Sequence, residues 1–487
     1  MSTDASTKHF DVLIVGAGLS GISAGFHLQR DCPDRSFAIL EARETLGGTW
    51  SLFKYPGIRS DSDMYTLGYS FRPWTNPKAI ADGPSILAYV RDTAEAYGLD
   101  KKIRYQRRVE SVDWVSEARH WALEVRDTAT GALERYTCGF LFLCAGYYRY
   151  DKGYTPEFAG RERFKGTVIH PQLWPEDFDY SGKKIVVIGS GATAVTLVPA
   201  LAKKAAEVTM LQRSPTYVLS RPEEDRLANT LRAHLGPETA YAITRWKNVL
   251  GGLAFYKMSR RFPVQTKQFL LSLVKREVRD PASVEAHFTP RYNPWDQRVC
   301  LVPDGDLFDA LKGGNARVVT DTIETFTETG IALSSGAHLD ADVIVTATGL
   351  IVQFLGGARA SVDGKPADLS KLMVYKGMMC SDVPNMAFAV GYTNASWTLK
   401  CDLTSEYVCR LLNHMKSHRY DVCVPRQNDP NIREEPLIDF SSGYVQRALD
   451  HVPHQGSEAP WKLYQNYILD RFTLRHTRVD DGVMEFR

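Results

Sequence analysis

FDVLIVGAGLSG, residues 10–21, joins an uninterrupted apolar run to a G-x-G-x-x-G turn at residues 16–21. A stretch with helical periodicity follows, and a second apolar run, FAIL at residues 37–40, ends at Glu41. Apolar runs without alternation are typical of strands that are buried on both faces of a parallel sheet. The segment therefore predicts a strand, a glycine turn, a helix and a second strand, in that order.

This context gives each residue of the turn a role in holding a dinucleotide. Gly16 permits the tight turn, Gly18 lets a pyrophosphate approach the backbone, and Gly21 lets the helix pack closely on the strand. The helix N-terminus offers free N–H groups and a partial positive charge to the phosphates, and the Ser20 hydroxyl adds a donor. Glu41 ends the second strand, where a carboxylate accepts hydrogen bonds from a ribose.

A second unit of the same kind begins with KIVVIGSGATA at residues 184–194 and continues to the apolar run VTML at residues 208–211. Where the first unit has a carboxylate, this one reads Arg213-Ser214. A guanidinium and a hydroxyl bind a 2′-phosphate, so this site is expected to prefer NADP(H), unless Arg213 is simply a surface arginine. The turn itself, with alanine at its third position, consists of Gly189, Ser190, Gly191, Ala192, Thr193 and Ala194.

Two nucleotide sites of different chemistry imply two different nucleotides. We expect FAD, held tightly but not covalently, in the first unit and NADPH in the second, with a hydride passing between them. The predicted fold class is α/β, with two doubly wound Rossmann-like dinucleotide-binding domains and a helical insertion. The expected limits are 1–155 and 336–487 for the FAD-binding domain, 156–215 and 285–335 for the NADP-binding domain, and 216–284 for the insertion.

Composition and charge exclude several other classes of protein. The 487 residues carry 59 Lys and Arg against 57 Asp and Glu, and this net charge of +2 predicts no nucleic-acid partner. Eight cysteines without a C-x-x-C pair indicate neither a disulfide scaffold nor a zinc site, so we expect no metal and a cytoplasmic location. The first residues contain no apolar leader, and no stretch of the sequence is long and apolar enough for an integral membrane segment.

The segment 241–280 is unusually basic, with nine Lys and Arg against Glu277 and Asp280. Such a pattern is typical of the solvated face of a helical insertion, which is the interpretation we favour. A basic amphipathic helix that docks on a membrane or a partner is the alternative.

Two longer motifs carry a family resemblance. Residues 164–175, FKGTVIHPQLWP, match the pattern F-x-G-x-x-x-H-x-x-x-W-[P/D], and residues 47–61, GGTWSLFKYPGIRSD, match [A/G]-G-x-W-x-x-x-x-[F/Y]-P-[G/M]-x-x-x-D. On these motifs the chain resembles type I Baeyer–Villiger monooxygenases, which are class B flavoprotein monooxygenases. The positions that match the first pattern are Phe164, Gly166, His170 and Trp174.

The resemblance extends over nearly the whole chain. Residues 55–65, 292–298 and 391–397 are similar to the ethionamide-activating subgroup of these enzymes. Flavin monooxygenases that oxidise only heteroatoms usually have tyrosine in place of Trp174. The tryptophan therefore favours the Baeyer–Villiger group.

The family also implies a set of site residues. His170 and Trp174 are implied to act in domain motion rather than in chemistry, and Arg298 falls where the family has its essential active-site arginine. Most members carry a lysine just before that arginine, near the 2′-phosphate, whereas this chain has Gln297, which weakens the inferred NADPH affinity. The implied FAD site consists of Gly16, Gly18, Ser20, Gly21, Glu41, Thr49, Trp50, Asp61 and Val109. The implied NADPH site consists of residues 189–194, Arg213 and Ser214, with Arg59, Ser60 and Asp61 near the nicotinamide.

The implied activity is the NADPH- and O2-dependent insertion of one oxygen atom next to a ketone carbonyl, through a C4a-peroxyflavin. Arg298 is the expected fixed cation, because a guanidinium stays protonated and does not donate its proton, and Asp61 is expected to orient it. The alternatives are a structural salt bridge for Arg298 and a turn cap for Asp61. Oxidation of sulfides or thioamides is expected as a second activity.

Other functions and features stay open at this point. A heteroatom-only flavin monooxygenase, a flavoprotein reductase with two nucleotide folds and a non-enzymatic nucleotide sensor are the alternatives. The expected partners are a small ketone or sulfide and O2, and the sequence leaves a homo-oligomer open. Residues 216–284 and 292–295 are candidate walls of the substrate pocket, although Tyr292, Pro294 and Trp295 could equally pack in the core.

Overall fold

The strand that leads into the first glycine turn, Lys8–Val15, is nearly central in a nine-stranded sheet, hereafter the large sheet. A computed structural model describes residues 7–437 and 443–487 of the chain. The central strand pairs in parallel with Phe37–Leu40 on one side and Leu133–Leu143 on the other. Its residues Val12, Leu13 and Ile14 are fully buried, as the unbroken apolar run predicts.

The large sheet combines a parallel part with an antiparallel meander. Met386–Phe388 adds a further parallel strand beside Leu133–Leu143. In spatial order the main path is Lys365–Pro366, Arg359–Val362, Arg107–Val115, His120–Asp127, Leu133–Leu143, Lys8–Val15, Phe37–Leu40 and Ile103–Arg104.

The second glycine turn belongs to a separate parallel sheet of five strands, hereafter the small sheet. Lys184–Ile188 is its middle strand, and Ile185, Val186 and Val187 are buried. In spatial order the strands are Ala316–Thr320, Glu207–Gln212, Lys184–Ile188, Val343–Thr346 and Thr167–Ile169. The α/β fold with two Rossmann-like units is thus confirmed.

One strand of the small sheet lies beyond the boundary expected at residues 335 and 336. Val343–Thr346 pairs in parallel with both Lys184–Ile188 and Thr167–Ile169. Because a buried parallel strand belongs to the sheet with which it shares backbone hydrogen bonds, we propose to extend the second domain through Thr346. Residues 1–6, where the absence of a leader was expected, and residues 438–442 of the tail lie outside the described residues.

The insertion is helical, with limits that differ from 216–284. A strand, Val218–Arg221, comes first and pairs with Cys300–Pro303, and the last helix continues to Phe288. The insertion helices are Arg226–Leu235, Pro237–Arg261, Pro263–Val278 and Pro281–Phe288. Proline begins three of them, because a first-turn residue needs no N–H partner inside the helix.

The remaining elements surround the two sheets. A long helix of the C-terminal part, Trp397–His418, packs beside Leu19–Asp31, and Tyr467–His476 packs on it in turn. None of the helices in the described chain has both the length and the apolar character that crossing a bilayer requires. The other helices are Thr49–Leu52, Met64–Leu67, Gly83–Ala96, Ala192–Leu201, Asp306–Lys312 and Gly443–Gln446.

Short strand pairs complete the fold. Ile323–Phe326, Gly330–Leu333 and His338–Asp340 form an antiparallel meander. The two-stranded pairs are Val374–Tyr375 with Met379–Cys380, Cys423–Pro425 with Met484–Phe486, and Glu434–Pro436 with His454–Gly456.

Candidate functional site between the two glycine turns

A cavity of about 900 Å³ opens where the two glycine turns approach each other. Its walls come from the carboxyl ends of the parallel strands of the large sheet, from the second glycine turn, and from Ala347 beyond the strand Val343–Thr346. The segments 47–62 and 295–301 also contribute. In open α/β sheets, ligands bind outside the carboxyl ends of the strands. The volume suits large organic ligands.

The first turn is built so closely that two of its glycines have no room for a side chain. Gly16 has φ +101°, and a Cβ there would lie 2.7 Å from the carbonyl oxygen of Cys144. A Cβ on Gly21 would lie 1.9 Å from the carbonyl oxygen of Gly16. Gly21 therefore allows the helix Leu19–Asp31 to pack directly against the strand that precedes it.

The N-terminus of that helix has no side-chain cap, so its first N–H groups are available to a ligand at the cavity. Gly18, Leu19 and Ser20 line the cavity. The Ser20 hydroxyl accepts a hydrogen bond of 2.8 Å from the indole N–H of Trp397 and lies 3.3 Å from Cys401 Sγ. The hydroxyl is thus already engaged within the protein, a contact that the local sequence did not predict.

Glu41 is buried at the end of the strand Phe37–Leu40 and lines the cavity. Its carboxylate accepts hydrogen bonds from the backbone N–H groups of Ala17, at 2.8 Å, and Arg43, at 3.0 Å. Burial raises the pKa of this carboxyl, against the lowering effect of those two bonds. Each oxygen keeps a second lone pair, so a ribose hydroxyl can still donate to it.

The other residues expected beside the first nucleotide are also at the cavity. Thr49 and Trp50 begin the short helix Thr49–Leu52, and both line the cavity. Val109 lines it from the large sheet, next to a bulge in the pairing of Arg107–Val115. The phenol of Tyr150 hydrogen-bonds Thr49, and burial raises the pKa of Tyr150 to about 12.

The second turn is more open than the first. Gly189 has φ +138°, whereas a Cβ on Gly191 would meet no atom within 4 Å. The helix Ala192–Leu201 also begins without a side-chain cap. Gly191, Ala192 and Thr193 line the cavity, while Ala194 is buried beneath them.

The expected 2′-phosphate residues lie at the edge of the second turn. Arg213 and Ser214 are exposed and lie outside the lining of the cavity. The Ser190 hydroxyl donates a hydrogen bond of 3.1 Å to the carbonyl oxygen of Ser214, which fixes the turn against this edge. Gln297, which replaces the lysine usual in the family, lines the cavity itself.

Asp61 and Arg298, which are 237 positions apart in the sequence, form an ion pair at the cavity wall. Arg298 Nη1 donates to Asp61 Oδ2 at 2.5 Å, and both residues line the cavity. The side chains are 38% and 44% exposed, so the pair lies at the cavity surface and is accessible to a ligand. The structure brings together the two residues that were predicted to act together.

Arg59 and Ser60, expected near the nicotinamide, have other partners. Arg59 forms an ion pair with Asp306, at the start of the helix Asp306–Lys312. The Ser60 hydroxyl donates to the carbonyl oxygen of Ser62 at 2.6 Å. Both residues line the cavity, and Arg59 additionally connects the segment 55–61 to the second domain.

The fingerprint residues at 164–175 lie away from the cavity, in the connection between the domains. Phe164 is buried, Trp174 packs edge-on against neighbouring rings, and a Cβ on Gly166 would lie 2.4 Å from the carbonyl oxygen of Asp342. His170 Nδ1 accepts from a backbone N–H, so its Nε2–H donates to the carbonyl oxygen of Gly349 at 3.1 Å. Burial lowers the pKa of His170.

Several lining residues received no role from the sequence. Tyr147 stacks on Trp397 with ring centroids 4.9 Å apart, and Tyr392 and Asn394 extend the same wall. The resemblance at 391–397 was the one signal that could have pointed to Tyr392 and Asn394, and no sequence signal pointed to Tyr147. Tyr55 adds a further contact, since its phenol hydrogen-bonds Thr193 of the second turn.

The expected pocket walls need correction. Of residues 216–284, only Thr216 lines the cavity, because the helices of the insertion pack outside it. Trp295 does line the cavity, whereas Tyr292 packs away from it, with its hydroxyl 3.0 Å from that of Thr216. Pro294 is buried outside the lining as well.

In comparisons with known proteins, the chain is similar to flavin-containing monooxygenases. The flavin-binding monooxygenase-like family matches residues 11–231. The chain is 56% identical to the FAD-containing monooxygenase EthA of Mycobacterium tuberculosis over 481 residues, 99% of this chain and 98% of that protein. It is 50% identical to the probable FAD-binding monooxygenase AlmA of Acinetobacter baylyi, over 98% of this chain and 96% of that protein.

The fold is also similar to that of solved structures. Cyclohexanone monooxygenase from Rhodococcus sp. Phi1, bound to NADP+, superimposes with a TM-score of 0.78 over 99% of this chain and 100% of that one. The sequence identity in that superposition is 18%. At this distance the similarity concerns the fold.

Proposed function

The chain belongs to the flavin-binding monooxygenase-like family, and from this premise we propose that it is an FAD-containing, NADPH-dependent Baeyer–Villiger monooxygenase. The overall reaction converts a ketone, O2, NADPH and a proton to an ester or lactone, NADP+ and water. Identity of 56% over nearly the whole chain supports the flavoprotein monooxygenase activity. The ion pair of Arg298 with Asp61 at the cavity wall is the observation that carries the Baeyer–Villiger part of the proposal.

The chain's own residues fit both nucleotides. The uncapped helix N-termini at Leu19 and Ala192 offer N–H groups and a partial positive charge to phosphates. The space above Gly191 admits a pyrophosphate close to the backbone. Glu41 suits a ribose, and exposed Arg213 suits a 2′-phosphate. When bound, the flavin supplies the activation of O2 and NADPH supplies the hydride.

Arg298 provides a fixed positive charge next to the substrate. Its guanidinium stays protonated at every working pH, so it stabilises the negative charge that develops on the ketone oxygen without donating a proton. Asp61 orients the guanidinium through the 2.5 Å bond and balances its charge before substrate binds. Removal of water from the cavity strengthens this interaction.

Oxidation of sulfides and thioamides is the second activity that we propose for the same cavity. A heteroatom-only monooxygenase is the competing function, and Trp174 in the fingerprint favours the ketone reaction over it. A dithiol reductase fits the cavity less well. Two cysteines of the described chain, Cys144 and Cys300, line the cavity. Burial raises the pKa of Cys144 well above its ordinary value and that of Cys300 to about 11, which keeps both as thiols.

A substrate panel tests the proposal. Purified protein, with its flavin absorbance recorded, is given NADPH and either linear, cyclic or aryl ketones or a thioether, and the products are identified by mass. We expect ketone-stimulated NADPH oxidation and a product about 16 mass units heavier than the ketone, the mass of one oxygen atom. Sulfoxide formation with no reaction on any ketone would favour the heteroatom-only function. A cytoplasmic location and a homo-oligomer remain further proposals, to be tested by cell fractionation and by the mass in solution.

A further inference from the structure

The outer side of the insertion exposes many large apolar side chains. The helix Pro237–Arg261 buries Arg245, Val249 and Ser259, which lie on one side of the helix. On its other side, and along the start of the next helix, Pro263–Val278, large apolar side chains are exposed. Each of them is 45% to 59% exposed. These residues, hereafter the outer apolar set, are Ile243, Leu250, Met258, Phe262, Val264 and Phe269.

The same surface is strongly basic. Residues 239–276 contain eight Lys and Arg and no Asp or Glu. Arg245 is buried, and Lys247 and Arg260 are paired with carboxylates. Within the described part of the chain, no carboxylate pairs with the exposed side chains of Lys257, Arg261, Lys275 or Arg276. Four basic groups thus accompany the outer apolar set in solvent.

We propose that this surface docks on an anionic lipid membrane, with Met258, Phe262 and Val264 inserted among the lipids and the basic groups at the headgroups. The outer face mixes apolar and basic side chains, so it supplies both contributions to membrane binding: burial of apolar area and attraction to anionic headgroups. A two-fold contact between copies of this chain would bring two such basic strips together. That repulsion makes a second copy the poorer occupant of this surface.

The docking surface lies close behind the cavity. On its inner side the helix Pro237–Arg261 holds Tyr256 against Trp295, with ring centroids 5.5 Å apart. Arg260 donates to Asp296 at 2.9 Å, two residues before Arg298. Because Trp295 lines the cavity, the membrane would lie about one helix diameter, roughly 10 Å, from the cavity wall.

Vesicle co-sedimentation of the FAD-loaded protein tests the proposal. Phosphatidylcholine vesicles with and without one third phosphatidylglycerol are compared at low salt and at high salt. We expect binding to the anionic vesicles only, and weaker binding at high salt. Phe262→Ser with Val264→Ser, and separately Lys257→Glu with Arg261→Glu, should each weaken binding about tenfold or more.

Matched controls carry the same chemical changes elsewhere on the surface. Leu133→Ser with Leu173→Ser removes two apolar side chains that are 52% and 53% exposed, and Lys101→Glu with Lys102→Glu reverses two exposed charges. Both controls should bind vesicles as the parent protein does, and flavin absorbance verifies the fold of every variant. Failure of the parent protein to bind anionic vesicles would overturn the proposal. So would equal losses in variants and controls, or a change of mass in solution showing that the surface joins two copies.

Discussion

At the scale of single residues, the cavity joins side chains that the sequence separates widely. Asp61 and Arg298 could be predicted as partners because each stands in a recognisable motif. The pairing of Arg59 with Asp306, and the hydrogen bond from Trp397 to Ser20, could not be predicted. Such contacts depend on how distant segments pack, and neither spacing nor residue type within one segment reports on that.

Arg298→Ala tests the proposed fixed charge. We expect flavin reduction by NADPH to persist, because the nucleotide turns are untouched, while ester formation falls at least about a hundredfold. Stopped-flow absorbance measures the reduction, and mass analysis measures the ester. Arg291→Ala, which alters an exposed arginine outside the cavity lining, is the control. Ester yield that stays at the parent level in Arg298→Ala would rule out the assigned role.

Two glycine substitutions separate a packing role from a binding role. Gly21→Ala places a Cβ 1.9 Å from a backbone oxygen, so we expect little folded, flavin-loaded protein, with a loss of about 3 kcal/mol or more. Gly191→Ala meets open space, so the fold should persist while the KM for NADPH rises. Thermal melting, flavin content and steady-state kinetics measure these outcomes. An unchanged KM in Gly191→Ala would speak against pyrophosphate binding over that turn.

At the scale of elements, periodicity predicted what lies within one segment. The strands Lys8–Val15, Phe37–Leu40 and Lys184–Ile188 followed from unbroken apolar runs, and the helices after each glycine turn followed from the fingerprint. The pairing of Val343–Thr346 with the small sheet did not, because an apolar run specifies burial but not which sheet receives it. The helical insertion was predicted, but not that it packs outside the cavity.

Arg245 is a buried anchor between the insertion and the first domain, beside the hydrogen bonds of Tyr241 and Asn248. Its Nη1 donates to the carbonyl oxygens of Tyr65 and Gly68, both at 2.8 Å, and its Nη2 lies 3.7 Å from buried Asp402. Asp402 keeps its hydrogen bonds from the Ser23 hydroxyl and the Ser70 N–H in Arg245→Ala, but it loses its nearby positive charge. The carbonyl oxygens lose their guanidinium donor, so we expect a loss of about 3 kcal/mol in thermal or urea unfolding.

Lys247 supplies the control two positions away. It pairs with Asp225 at the surface, so Lys247→Ala should cost no more than about 1 kcal/mol. Comparable losses in the two variants would mean that the buried network does not anchor the insertion.

At the scale of the whole molecule, the connection between the domains contains a half-buried histidine. His170 donates to the carbonyl oxygen of Gly349, just beyond the last strand of the small sheet. Burial lowers the pKa of His170 below its ordinary value of 6.5, so the unfolded chain takes up a proton before the folded chain does. Stability should therefore fall as the pH drops below about 6.5, by at most about 1.4 kcal/mol per pH unit.

His170→Asn isolates this contribution. Asparagine keeps one donor and one acceptor but does not titrate. Two half-buried histidines whose pKa is also lowered, His287 and His414, are present in both proteins. Unfolding free energies at several pH values between about 5.5 and 7.5 give the comparison. The variant should lose less stability on acidification than the parent. Parallel curves would show that His170 does not couple folding to protons.

Much of the molecule's architecture and both nucleotide turns were predictable, because they follow from local motifs whose residues have defined steric roles. The aromatic wall formed by Tyr147, Tyr392 and Trp397 could not be predicted from the sequence. Its residues come from segments some 250 residues apart, and no sequence motif connects them.

Labelling with ¹⁸O2 tests the proposed Baeyer–Villiger activity, because it shows whether the inserted oxygen atom comes from O2. FAD-loaded protein, NADPH and a ketone that proved reactive in the panel are incubated under ¹⁸O2, and the product is analysed by mass spectrometry. We expect an ester or lactone that carries one ¹⁸O atom at the inserted position, in amounts matching the NADPH consumed. NADPH consumption with the ketone recovered unchanged, or an ester without the heavy atom, would contradict the proposed activity.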